Sequence, residues 1–195
     1  MAGFGTLRQS LERLSATRIN GRLGLIADTG VSAGLLIVGL RATSLRAPIA
    51  LTLVLLGLLA FTFVEYGFHR WLFHGRAALF EEGHRRHHDV PEGDDSLPFF
   101  FAPLAILGLT TLLALALPNG IAVLFAGGFA AGYASYGLSH TIMHRRRFRS
   151  ALLRRWAAAH HIHHHHPGSN FGVTSPLWDV VLGTRYARGA SGEAT

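Results

Sequence analysis

The chain of 195 residues contains no cysteine, and all 18 of its basic residues are arginine, with no lysine among them. The missing thiols exclude disulfides, iron–sulfur clusters and thiolate metal sites. Charge of either sign is scarce: 15% of residues are charged against 49% hydrophobic, and the mean hydropathy is +0.30, too apolar for an ordinary soluble domain. The stretch from Met1 to Asn20 holds no apolar run of the kind a signal peptide needs. No internal repeat is evident, and no basic groove is interleaved with aromatics. The net charge of +7 is therefore not read as nucleic-acid binding. Histidine is absent before His69 and after His166, so all 13 lie between these two positions.

What is abundant is uninterrupted apolar sequence. Pro48 to Val64, Leu97 to Leu117 and Ile121 to Leu138 carry no formal charge. Each approaches the roughly 20 apolar residues that cross about 30 Å of hydrocarbon. Leu23 to Leu40 is a fourth candidate, interrupted by Asp28. Pro118-Asn119-Gly120 makes so short a joint that the third and fourth spans form an antiparallel hairpin. With four spans, sixteen arginines fall on one side and two, Arg41 and Arg46, on the other. The positive-inside rule then places both termini and the central loop in the cytoplasm. Arg145 to Arg149 reads as a juxtamembrane anchor facing anionic lipid. Ahead of the first span, Leu7, Leu11 and Leu14 recur at helical spacing among arginines, as in an interfacial amphipathic helix. The expected organisation is an interfacial segment over 1–22, a membrane-embedded unit over 23–184 and a flexible tail over 185–195.

The histidines fall into four groups, and this topology brings all four to the cytoplasmic side. His69 and His74 follow the second span, while His84, His87 and His88 form H-x-x-H-H in the loop after it. His140 and His144 form H-x-x-x-H at the end of the fourth span. The run "HHIHHHH" from His160 to His166 lies inside the chain, where a purification tag does not belong, and holds a second H-x-x-H-H in two registers. These are His160, His163, His164 or His161, His164, His165, and sequence leaves the choice open; His166 belongs to neither. Residues three and four apart share a helix face, so each group can present several imidazoles together. His69 and His74 are five apart, about 140° around an ideal helix, and serve either two ions or one reached from a helix end. One metal takes about 4 to 6 protein ligands, so the inventory points to two ions. Imidazole suits iron, zinc, copper and nickel alike. Glu65 and Asp89 are candidates for carboxylates that orient imidazoles.

These boxes, with the adjoining hydrophobic hairpin and the closing "NFGVTSPLWDVVLGT" (Asn170 to Thr184), resemble the fatty acid hydroxylase superfamily of integral membrane di-iron oxygenases. "HHDVPEGDDSLPFF" and "FGVTSPLWD" are most similar to its fatty acid/ceramide 2-hydroxylase branch. The resemblance covers roughly Glu65 to Thr184. It implies an all-α membrane protein of about four transmembrane helices, with a cytoplasmic helical cap carrying a histidine-rich dimetal site. It further implies two iron ions, with zinc an alternative occupant in purified protein, O2 as co-substrate and a separate electron-donor protein. The lipid substrate would be hydroxylated at C2 of its acyl chain. The metal ligands it implies are drawn from His69, His74, His84, His87, His88, His140, His144, His160, His161, His163, His164 and His165. Tyr136, Phe171, Trp178 and Asp179 would line or brace the pocket. Two positions depart from the pattern and bear on the substrate: Gly137 stands where relatives often carry Asp, and Ser96 where acyl 2-hydroxylases often carry Arg. The alternatives are an oxidase or desaturase of the same superfamily acting on a sterol, carotenoid or other lipid, and a non-catalytic zinc-binding membrane protein. The segment ahead of His69 contains no histidine to ligate a haem.

Overall fold

The computed structural model describes residues 2–75, 78–93 and 96–188, with side chains described from residue 9 onward except at 78 and 79. Every regular element is helical: α1 (Ala2–Ser15), α2 (Arg18–Ala42), α3 (Ala47–Gly67), a π-helical turn (Phe68–Phe73), α4 (Ala78–Asp89), α5 (Phe101–Ala116), α6 (Asn119–Arg145), α7 (Ala151–His165) and α8 (Leu177–Val181). Three helices are long and apolar enough to cross a membrane: α2, α3 together with its π turn, and α6. The fourth, α5, has 16 residues and rises about 24 Å, short of the roughly 30 Å core. Their outward faces are apolar, Leu115 being 81% exposed and Leu104 62%, which makes lipid the matching solvent. The protein is an integral membrane protein.

Local chemistry sets the helix limits. Thr17 caps α2, its hydroxyl accepting from the Asn20 backbone N–H at 3.1 Å. Asp28 does not interrupt α2, which runs unbroken through it. The apolar run from Leu97 becomes helical only at Phe101, because the fully buried Asn20 claims the backbone before it. The Asn20 amide donates to the Leu97 carbonyl at 2.9 Å and to Ser96 Oγ at 2.8 Å, and its oxygen accepts from the Phe99 N–H at 2.9 Å. Ser96, one of the two departures, thus ties the central loop to the start of α2. As expected, α5 and α6 form a hairpin around Pro118.

The central helix α6 packs against both α2 and α3. Close approach is possible because small residues meet there. A Cβ on Gly57 would come 2.1 Å from the Phe125 carbonyl, and one on Gly128 would come 2.2 Å from that of Val54. With α3 and α6 held in this register, their histidine-bearing C-terminal ends lie together. The cap is formed by α4, α7, α8 and the segment after α7. Its small core is Met143, Ala157 and Val173, packed by Tyr136, Phe148 and Trp156. The helix expected near the N-terminus is present as α1, although the side chain of Leu7 lies outside the description. At the other end, Tyr186 is tied down, its N–H donating to Asn170 at 2.9 Å and its ring stacking on His166 at 4.5 Å. Residues 189–195 of the expected tail lie outside the described residues.

Candidate metal centre

The four histidine groups converge at one end of the bundle and sort into two clusters. His69, His74, His84, His88 and His163 form the first; His87, His140, His144 and His160 form the second. His164 joins the second, its Nε2 lying 3.1 Å from that of His87 and 3.2 Å from that of His160. The two clusters are built on one plan. Each takes two histidines from the end of a span (69 and 74, or 140 and 144) and the i, i+4 pair of one cap helix (84 and 88, or 160 and 164). Each is completed by the i+3 histidine of the other cap helix, 163 or 87. Each H-x-x-H-H motif therefore serves both clusters, and the cap helices α4 and α7 are cross-linked through them.

The structure brings together the His160, His163, His164 register, in which Ala157, His160 and His163 are the buried positions of α7. His161 and His165 are exposed and stand outside both clusters, as does His166. His69 and His74 enter the same cluster despite their five-residue spacing, with ring centroids 5.2 Å apart. The π turn is the reason: the His74 N–H donates to the His69 carbonyl at 3.2 Å, an i→i+5 bond that stacks residues five apart.

Main-chain carbonyls, rather than the candidate carboxylates Glu65 and Asp89, face the imidazoles of the first cluster. His69 Nδ1 lies 2.5 Å from the Phe171 carbonyl and His163 Nδ1 2.7 Å from that of Ser169. Donation there places each proton on Nδ1 and turns the Nε2 lone pair inward. Asn170, between the two acceptors, adopts a left-handed φ of 55°, a conformation asparagine tolerates better than most residues. Its amide donates to the Ala159 carbonyl at 3.1 Å. The buried Asp179 carboxylate accepts from the N–H groups of Phe171 and Gly172, both at 2.8 Å. Glu65 accepts from the Val173 and Thr174 N–H groups at 2.6 and 2.9 Å and from the Thr174 hydroxyl. It thereby fastens the loop to α3 instead of orienting a ring. Asp89 is exposed beside Arg85 at 3.5 Å. Trp178 braces α8 on α3, its Nε1 donating to Thr62 at 3.0 Å, and Tyr136 stacks on His140 at 5.9 Å. Main-chain acceptors carry no side-chain signature, so the Ser169 carbonyl had no signal in the sequence, and the Phe171 carbonyl none beyond the closing motif that contains it.

Burial, reinforced by neighbouring imidazoles, holds His84, His87, His160 and His164 well below the ordinary histidine range. Burial lowers His74 to about 4, and His163 to about 3 against the opposing effect of the Ser169 carbonyl. Near pH 7 these rings are neutral, each with one lone pair. His84 Nε2 lies 2.9 Å from His74 Nε2 and 3.1 Å from those of His69 and His88, yet one ring nitrogen makes only one in-plane hydrogen bond. A cation at the centre satisfies what hydrogen bonding cannot. Two nitrogens about 2.1 Å from one ion and at right angles lie about 3 Å apart. The observed Nε2 separations of 2.9 to 3.2 Å fit that arrangement in both clusters.

Residues 54–184 match the fatty acid hydroxylase family. The chain belongs to that family. This fatty acid hydroxylase family protein is 32% identical over 158 residues to the ceramide very long chain fatty acid hydroxylase scs7 of Schizosaccharomyces pombe, covering 73% of the chain and 44% of the relative. It is 30% identical over 151 residues to a dihydroceramide fatty acyl 2-hydroxylase of Arabidopsis thaliana, covering 70% and 62%. The fatty acid 2-hydroxylase of Mus musculus is 33% identical over 145 residues, covering 68% and 39%. The chain thus spans less than two thirds of the length of each of these relatives. The solved structure of scs7p, in which only the hydroxylase domain is visible, superimposes with a TM-score of 0.77 at 27% identity over 92% of this chain and 71% of that one.

Proposed function

We propose that this protein is a lipid hydroxylase that inserts oxygen at C2 of an acyl chain, with two iron ions held by His69, His74, His84, His88 and His163 and by His87, His140, His144, His160 and His164. The observation that carries this reading is the convergence of ten imidazoles into two matched clusters at one end of the bundle, in a chain of this family. Iron rather than zinc is favoured because each cluster offers five nitrogens where structural zinc takes four. The bound ions supply the O2-dependent oxidising power that no amino-acid side chain possesses. Converting C–H to C–OH takes one oxygen atom from O2; the other leaves as water, with two protons and two electrons from a separate donor protein.

The chain's own residues supply position. The carbonyls of Phe171 and Ser169 fix two rings, and Glu65 and Asp179 hold the loop that carries those carbonyls. The arginine bias assigns this end of the bundle to the cytoplasm. An amphiphile seated there keeps its head at the interface while its chain lies along the apolar helices. The working unit is residues 23–184, behind an interfacial segment (1–22) and ahead of a tail (185–195). The relatives whose names specify 2-hydroxylation support the position of attack, whereas Gly137, where relatives often carry Asp, bears on which lipid is taken. A Cβ there would meet nothing within 4 Å, so the space beside the H-x-x-x-H box is open. A transporter is disfavoured, since its ligands belong at the midplane of the spans rather than at their ends.

The test is expression in a host lacking 2-hydroxy lipids, with lipid mass spectrometry under 18O2. The expected result is 18O at C2 of acyl chains, lost in His87→Ala and His144→Ala. An oxidised sterol or carotenoid with unchanged acyl chains would replace the substrate, and no oxygen-dependent product after iron loading would overturn the oxygenase reading.

A further inference from the structure

Beside the first cluster a cleft of about 560 Å³ is lined by Arg70, Trp71, His74, Pro167, Gly168 and Phe171. It joins Trp71, 55% exposed, to an imidazole of the cluster. Arg70 is its charged group. The guanidinium lies 5.8 to 5.9 Å from the ring centres of Tyr66, Trp71 and Phe171, which restrict its orientation. One donor is committed, Nη1 to the Tyr66 hydroxyl at 2.8 Å, and among the described residues no carboxylate pairs with it. The remaining N–H groups form a planar fork suited to an oxygen acceptor.

Behind Arg70 a polarised relay leads to the metal-facing rings. Arginine only donates and a carboxylate only accepts, which fixes every direction between them. Arg70 donates to Tyr66, Tyr66 to Thr184 Oγ1 at 3.0 Å, and Thr184 to Asp179 at 2.7 Å. Asp179 holds the Phe171 N–H, and the Phe171 carbonyl faces His69 Nδ1. Two of its members lie in the interior, Tyr66 being fully buried and Asp179 1% exposed, while Arg70 and Thr184 are half-buried.

We infer that Arg70 seats the acyl carbonyl oxygen of the substrate, either the carboxylate of a free fatty acid or the amide carbonyl of an N-acyl lipid. The inference rests on the acyl-hydroxylase reading and deepens it. Gripping the carbonyl, C1, leaves C2 as the next carbon toward the clusters, so Arg70 determines the position of attack. Sterols and carotenoids have no such carbonyl to offer.

The test compares wild type, Arg70→Gln and Arg70→Lys, each full-length in nanodiscs. Binding is read from tryptophan fluorescence, with Trp71→Phe assigning the signal to the cleft, and metal content is measured alongside. Probes are palmitate, an N-palmitoyl sphingoid base, and hexadecane as the carbonyl-free control. The expected result is binding of both carbonyl lipids weakened about tenfold or more in Arg70→Gln, as befits a lost charge-assisted hydrogen bond, with hexadecane binding and metal content unchanged. Arg70→Lys restores binding to within about threefold but spreads hydroxylation from C2 to neighbouring carbons, because an ammonium lacks the fork. A larger loss for palmitate identifies the carboxylate as the favoured source, and a larger loss for the N-acyl lipid identifies the amide. Unchanged binding of both in Arg70→Gln overturns the inference. So does a parallel loss of hexadecane binding or metal, which would make Arg70 structural. If carbonyl-dependent binding is lost but no lipid is ever hydroxylated, the cleft assignment stands and the hydroxylase reading falls. Hydroxylation at C2 by Arg70→Gln with wild-type binding leaves the reaction and removes Arg70.

Discussion

The two histidine clusters share a plan and differ in what stands behind it. In the first, His69 and His163 have their outer nitrogens engaged by the carbonyls of Phe171 and Ser169, in a loop fastened by Glu65, Asn170 and Asp179. In the second, Nδ1 of His160 and of His164 is buried with no hydrogen-bond partner among the described residues. Partners that fix tautomer and ring orientation are worth about 10- to 100-fold in metal affinity. On the proposed dimetal reading, the first cluster is the more firmly oriented and tighter site and the second the looser one.

The largest effect should come from removing one ring from either cluster. His84→Ala should leave about one ion per chain and no measurable turnover; His144→Ala should do the same from the other cluster. Metal analysis and oxygen uptake check both, and two retained ions in either variant would break the division into five and five. Next, a chelator should strip wild type in two phases. The fast phase should persist alone in His84→Ala, and the slow phase alone in His144→Ala; the reverse assignment would invert the comparison. Asp179→Asn should loosen the Phe171 carbonyl and weaken the slow phase about tenfold, drawing the phases together, without changing the fast one. Glu65→Leu strands two backbone N–H groups, each costing about 1–3 kcal/mol, and should lower the melting temperature more than Glu65→Gln does. The smallest effects belong to His161→Gln, His165→Gln and His166→Gln, whose metal content and turnover should remain within about twofold of wild type, whereas His164→Gln loses both.

Much of this was legible in the chain. Uncharged runs marked the spans, and the confinement of histidine to 69–166 marked the site, because side-chain type and helical spacing carry that information directly. What spacing concealed depended on a departure from ideal geometry or on the main chain. His69 and His74 look far apart around the axis only if the helix stays α, and the π turn removes that premise. The "HHIHHHH" run offers no contrast between registers, and the choice is made elsewhere, by Ala157 packing with Met143 and Val173 in the cap core. Glu65 attracted notice as a carboxylate near a ligand, yet its partners are backbone N–H groups more than a hundred residues away. The start of α5 is hidden for a related reason: the apolar character of Leu97 to Phe100 is plain in the chain, but the capture of that backbone by Asn20 is not.

X-ray absorption at the iron edge, on anaerobically iron-loaded protein with metal and protein both quantified, tests the central claim most directly. Two irons per chain, each surrounded by nitrogen with the outer scattering of several imidazoles, is the predicted result. One iron or none per chain, or a coordination sphere made of oxygen without imidazole, would contradict it.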